Sequence, residues 1–183
     1  MIWTLSHRAD PRVLPLADAH YNRQKPGTPQ FVAPGRCLVL KTPAEDAFWV
    51  TSWPQFARHA WSGAWVCTAF RREAECPHLA SDMILSAVAA TRWRFGPPPP
   101  HGMITFINPE KIRHKRDPGR CYVKAGFRLV GVTKVHHLLV FQLPRSAWGL
   151  AAESGEWCWF DDAMPVAEAP LGTNVELFSG VGG

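Results

Sequence analysis

A chain of 183 residues, 46% hydrophobic and 19% charged, is long enough for one buried core and too apolar for a disordered protein. It has no apolar run near the roughly 18 residues that cross a bilayer, so a soluble, cytoplasmic protein with no membrane partner is expected. Five widely spaced cysteines with no CxxC suggest neither a disulfide framework nor a tetrathiolate zinc site, so reduced thiols are expected, and a net charge of +5 with 14 arginines to 6 lysines fits a polyanionic partner.

The chain opens with a short strand, Ile2 to Leu5. Leu14, Ala17 and Tyr21 then fall at helical spacing, which predicts a helix from Leu14 to Lys25 stopped by Pro26-Gly27. Arg36 to Lys41 and Ala47 to Trp53 read as strands joined by the turn Thr42-Pro-Ala-Glu-Asp46, a hairpin. Phe56, His59 and Trp61 lie in the loop before the central strand, Gly63 to Phe70.

Leu79 to Phe95 carries an apolar row at Leu79, Met83, Ala87 and Ala90 beside a second at Ala80, Ile84, Val88 and Trp93. This pattern predicts a long helix lying on the sheet. Gly96 is its expected left-handed C-cap, and Pro97 prevents continuation. Met103 to Ile107 is a buried strand, so strand, helix and strand make a parallel crossover. A basic segment follows and ends in Tyr122-Val-Lys-Ala-Gly-Phe127. Arg128 to Thr133 and His137 to Leu143 form a last antiparallel pair. Residues 1–145 are expected to be one domain, with 146–183 an irregular extension that packs its tryptophans on the same body.

Several groups here can carry chemistry, and each has a plainer reading. His20 and Tyr21 can act as a general base or ligate a metal such as iron, or simply pack. Arg71 and Arg72 leave the central strand at its C-terminal end, where α/β sheets place ligands, or they are solvated beside Glu73 and Glu75. Ser81 and Asp82 stand in the first helical turn, as site residues or as caps. Tyr122, ahead of Lys124 and Gly126, reads as a core residue. Arg23, Lys111, Arg113, Lys115, Arg116, Arg120 and Lys124 are candidates for DNA phosphates, with Arg92 and Arg94 as further cations, or they form a solvated face. The remaining histidines lack the spacing of a zinc site.

The element order and the segment Pro118-Gly-Arg-Cys-Tyr-Val-Lys-Ala-Gly-Phe127 resemble the GNAT acyltransferase fold. That implies an α+β protein with a mixed, mostly antiparallel central sheet and flanking helices, and a catalytic domain over residues 1–145. Adding Ala19-His-Tyr-Asn-Arg23, Phe70-Arg-Arg-Glu73 and Leu79-Ala-Ser-Asp-Met-Ile84 narrows the resemblance to the Mom family of phage DNA-modification proteins, over residues 14 to 143. Those GNAT-related enzymes convert adenine in DNA to the N6-carbamoylmethyl form and protect phage DNA from host restriction.

The resemblance implies a transferase acting on double-stranded DNA, with His20, Tyr21, Ser81 and Tyr122 catalytic. Arg71, Arg72, Asn108 and Lys124 would hold a donor, either acetyl-CoA or another acyl donor. Iron, if used, would sit on His20 and Tyr21, and a dimer is compatible with the family. Trp53, Phe56, Trp61 or Tyr21 would stack on a flipped base. The chain departs from the pattern in having no glycine between Arg71 and Asp82, where GNAT enzymes that use acetyl-CoA cradle its pyrophosphate. Asn108 also stands where the family has an acidic residue. The alternatives are a GNAT N-acetyltransferase for a small amine or protein, and a non-catalytic basic DNA-binding protein.

Overall fold

The computed structural model describes residues 2–54, 60–112 and 117–149. Phe56, His59, Arg113, Lys115, Arg116, Trp157 and Trp159 lie outside the described residues. In chain order the elements are β1 (Thr4–Ser6), α1 (Leu14–Asp18), β2 (Cys37–Lys41), β3 (Ala47–Ser52), β4 (Trp65–Arg72), α2 (Ala80–Phe95), β5 (Met103–Ile107), α3 (Arg120–Lys124), β6 (Arg128–Val132) and β7 (Leu139–Leu143). A single 3-10 turn, Arg145–Gly149, follows.

The strands form one sheet in the order β1-β2-β3-β4-β5-β7-β6. Among the described residues only β4 and β5 run parallel, and every other neighbouring pair is antiparallel. The protein is therefore α+β, with a mixed, mostly antiparallel seven-stranded sheet flanked by helices. No helix among the described residues is long and apolar enough to cross a membrane. The four described cysteines are free thiols.

Strand alternation divides the core. Val39, Phe48 and Val50 meet Val13, Leu16 and Ala17 on the α1 face. Leu40, Trp49, Trp65 and Met103 face α2, whose Met83, Ile84, Ala87, Val88 and Ala90 are buried against them. Each large side chain buried this way contributes about 1.5–3 kcal/mol. A buried polar chain pins helix to sheet: Trp49 Nε1 donates to Thr51 Oγ1 (2.7 Å), which shares a hydrogen bond with Thr91 Oγ1 (2.9 Å).

Three local expectations need correction. The first helix ends at Asp18, short of Lys25, because the Asp18 carboxylate takes Arg23 Nε (2.7 Å) and the Gly27 N–H (2.8 Å), folding residues 19–28 into a loop. The ends of the α2 apolar row are open, with Leu79 66% and Trp93 53% exposed, since the row overruns the sheet beneath it. Gly96 does have a positive φ, but its ψ of -150° lies outside the left-handed helical region. Trp148 packs on the body, 5.1 Å from the Trp65 ring. The rest of the extension lies outside the described residues.

Candidate functional site

The parallel pair β4 and β5 is joined at only three positions, Trp65 to Met103, Val66 to Ile104 and Cys67 to Thr105. Beyond them β4 runs on to Arg72 and β5 to Ile107, with no further pairing. On its other side, β4 matches Ala69 with Val50 and Cys67 with Thr51, which leaves Thr68 as the extra residue of a β-bulge. The sheet thus opens at Cys67 and Thr105. A cleft of about 1360 Å³ fills the opening, walled by β4, β5, α3, the start of α2 and the loop after α1.

The loop after α1 carries His20 and Tyr21, stacked with ring centroids 4.6 Å apart. The backbone of Asn22 donates to His20 Nδ1 (3.2 Å), and the ring has a second backbone hydrogen bond, to Phe70. Burial and the Arg71 charge hold the imidazole well below its usual pKa, at about 4, so it is neutral at pH 7. Tyr21 accepts a backbone hydrogen bond from Asn108 at the end of β5. Its burial raises the phenol pKa. Tyr21 therefore spans the opening from α1 to β5, with His20 as its backing.

Tyr122 approaches from α3. Its hydroxyl lies 3.4 Å from Cys67 Sγ, and its ring packs on Phe127 (5.3 Å) and faces Phe141. Burial, followed by the neighbouring Cys67, pushes the phenol well above its usual range. Burial likewise pushes the Cys67 thiol up to about 12. Both remain protonated near neutrality, so Tyr122 is a hydrogen donor there and Cys67 is no thiolate nucleophile. The first turn of α3 depends on Gly119, at φ +86°, where a Cβ would run into the Phe141 ring.

Two expected donor-binding arginines serve as braces. Arg71 donates to the Ala19 carbonyl (2.7 Å) and pairs with Glu73 (2.7 Å), tying the His20 loop to β4. Arg72 donates to the carbonyls of Cys76 (2.6 Å) and His78 (2.8 Å), holding the glycine-free loop between β4 and α2. Asn108 uses its side chain locally, accepting from the N–H groups of Glu110 and Lys111. Arg23 is bound to Asp18, Thr28 and Gln30, away from the cleft.

Ser81, Lys111, Arg120 and Lys124 do line the cleft. Ser81 is not the N-cap of α2: that position is Leu79, which makes no side-chain cap hydrogen bond, and its carbonyl accepts the Asp82 and Met83 N–H groups. Arg92 and Arg94 sit in the last turn of α2, at the far end of the helix, and Arg92 donates to the Trp148 carbonyl. Of the four aromatics named for base stacking, Phe56 is outside the described residues and only Tyr21 lines the cleft. Trp53 lies under Arg36 and against Phe95, and Trp61 packs on Phe106.

The His20 and Tyr21 arrangement does not fit an iron site. Both imidazole nitrogens have backbone partners, and the described residues hold no cluster of three His, Cys, Asp or Glu that could ligate a metal. Sequence reasoning missed Cys67, the Thr68 bulge and Thr105, whose hydroxyl donates to the Cys67 carbonyl (3.1 Å). No motif marks them, because their role comes from strand pairing. No family model, curated protein or solved structure matches this chain.

Proposed function

We propose that this chain is a DNA-modifying transferase of the Mom type on a GNAT-like scaffold, converting adenine in duplex DNA to its N6-carbamoylmethyl form. Its biological effect is then to shield phage DNA from restriction. The observation that carries this reading is the opening between β4 and β5, a cleft lined by both Tyr21 and Tyr122 together with Lys111, Arg120 and Lys124. Two tyrosines in a cleft lined by exposed cations suit a flipped, uncharged base attached to phosphates. The cleft volume exceeds the roughly 300–1,000 Å³ of an ordinary small-molecule pocket, leaving room for a donor beside the base.

In this reading Tyr21 meets the base at the mouth, and His20 positions Tyr21. Adenine N6 displaces the leaving group from the methylene carbon of an electrophilic carbamoylmethyl donor, so that the N6–C bond forms as the bond from that carbon to the leaving group breaks. Tyr122, protonated and desolvated, gives its proton to the leaving group, and the N6 proton passes to solvent. The start of α2 at Ala80 and Ser81, both on the cleft, and the bulged backbone at Thr68 lie where N–H donors would meet the anionic or carbonyl parts of the donor. Acetyl-CoA delivers an acetyl and not a carbamoylmethyl group, so it belongs to the second reading, where it would use that helix terminus without a glycine-rich turn.

A second reading is N-acylation of a small amine or protein. It is favoured by the same single parallel strand pair and bulge, and it predicts measurable acetyl-CoA binding. The deciding experiment is nucleoside mass spectrometry on plasmid DNA from cells making the protein. A carbamoylmethyl increment on deoxyadenosine that is lost in Tyr122→Phe supports the first reading; unmodified adenine from soluble protein, with acetyl-CoA bound, replaces it with the second.

A further inference from the structure

All 20 lysines and arginines lie before residue 150. Glu153, Glu156, Asp161, Asp162, Glu168 and Glu176 give residues 150–183 negative charge with no basic side chain to offset it. The acids are not evenly spread. Glu156-Trp-Cys-Trp-Phe-Asp-Asp162 sets three aromatic rings between one acid and a pair of acids. Such a segment offers what a nucleic-acid strand offers, flat rings beside negative charge.

The cleft offers the complement. Lys111, Arg120 and Lys124 are exposed on its rim, against one rim carboxylate, Asp117, because Arg71 is already paired with Glu73. Leu79, 66% exposed, adds an apolar surface beside the opening. Reach is sufficient. Trp148 is anchored on Trp65 at the start of β4, and Arg71 lies six positions along that strand, roughly 20 Å away. Glu156 and Asp162 follow Gly149 by seven and thirteen residues, a contour of about 24 to 44 Å.

We propose that Glu156 to Asp162 of this chain docks on the cationic rim of the cleft and competes there with polyanions. Docking itself is independent of the proposed reaction; only the competition rests on the DNA reading.

The test uses the full chain. Zero-length carbodiimide coupling followed by peptide mass spectrometry is expected to join Lys111 or Lys124 to Glu156, Asp161 or Asp162 within one chain at low salt, and to lose those links at high salt. Links confined to Lys25, Lys41 or Lys134, or links only between chains, overturn intramolecular docking. In parallel, Glu156→Gln with Asp161→Asn is compared with a control of equal charge, Glu168→Gln with Glu176→Gln. The first pair is expected to raise affinity for a short fluorescent DNA duplex about 3- to 10-fold at low salt, the control less than twofold. Equal effects from the two pairs overturn docking and leave DNA binding intact. Lysine links together with no duplex binding by any variant retain the docking and remove the DNA reading.

Discussion

The Tyr122 hydroxyl meets Cys67 Sγ at 3.4 Å across the point where β4 and β5 part, joining α3 to the last paired position of the parallel strands. Removing the hydroxyl while keeping the ring separates its chemistry from its packing. Tyr122→Phe keeps the contacts with Phe127 and Phe141 and loses one weak hydrogen bond, so stability should fall by no more than about 1 kcal/mol. On the proposed reaction, adenine modification should fall by two orders of magnitude or more. Denaturant midpoints and nucleoside mass spectrometry measure the two effects. Undiminished modification would assign Tyr122 to the core alone.

Gly119 sets the angle at which α3 presents Tyr122. Gly119→Ala must place a methyl group on the Phe141 ring at a backbone φ of +86°, so it should cost about 2–4 kcal/mol. Thermal unfolding checks this. A loss below 1 kcal/mol would mean that the start of α3 relaxes easily and does not fix the phenol.

His20 makes stability depend on pH. Its folded-state pKa of about 4 lies below the ordinary 6.5, so the unfolded chain takes up a proton first as pH falls. The stability is fully present above pH 6.5, declines as pH falls through the window, and levels off below pH 4. Between pH 7 and 5 the loss should be roughly 1–2 kcal/mol, allowing for the partial exposure of the ring. Asp18, held low by Arg23 and the Gly27 N–H, changes stability only at lower pH and leaves this window clear. Urea midpoints at the two pH values should therefore converge in His20→Phe. An unchanged pH slope in that variant would place the titration elsewhere.

The elements were legible where a local signal coincided with a long-range one. Met103 to Ile107 is apolar except for Thr105 because β5 is buried between β4 and β7, and its bounds agree with the sequence reading. Gly96-Pro97 likewise places the end of α2 at Phe95. The first helix is misread because Asp18 and Arg23, which look like ordinary helix-surface charges, close a loop through backbone groups nine and seven residues away. The candidate site divides in the same way. Tyr21, Ser81 and Tyr122 were visible as residue types beside turns, and all three line the cleft. The arginine pair marked the right strand end, but its guanidinium groups satisfy carbonyls made available by the fold, which no linear spacing reveals.

The rim cations give the last prediction. Lys111, Arg120 and Lys124 are exposed on the cleft, so replacing all three with glutamine should leave the core and the thermal midpoint nearly unchanged. If DNA phosphates are their partners, each contact contributes about 0.9 to the slope of log affinity against log salt, and the triple variant should flatten that slope by up to about 2.7. Arg23→Gln provides the contrast: its guanidinium holds Asp18, Thr28 and Gln30, so it should lower stability and leave the slope alone. Duplex titrations from low to moderate salt measure both. An unaltered slope in the triple variant would move the polyanion away from this cleft, and with it the adenine.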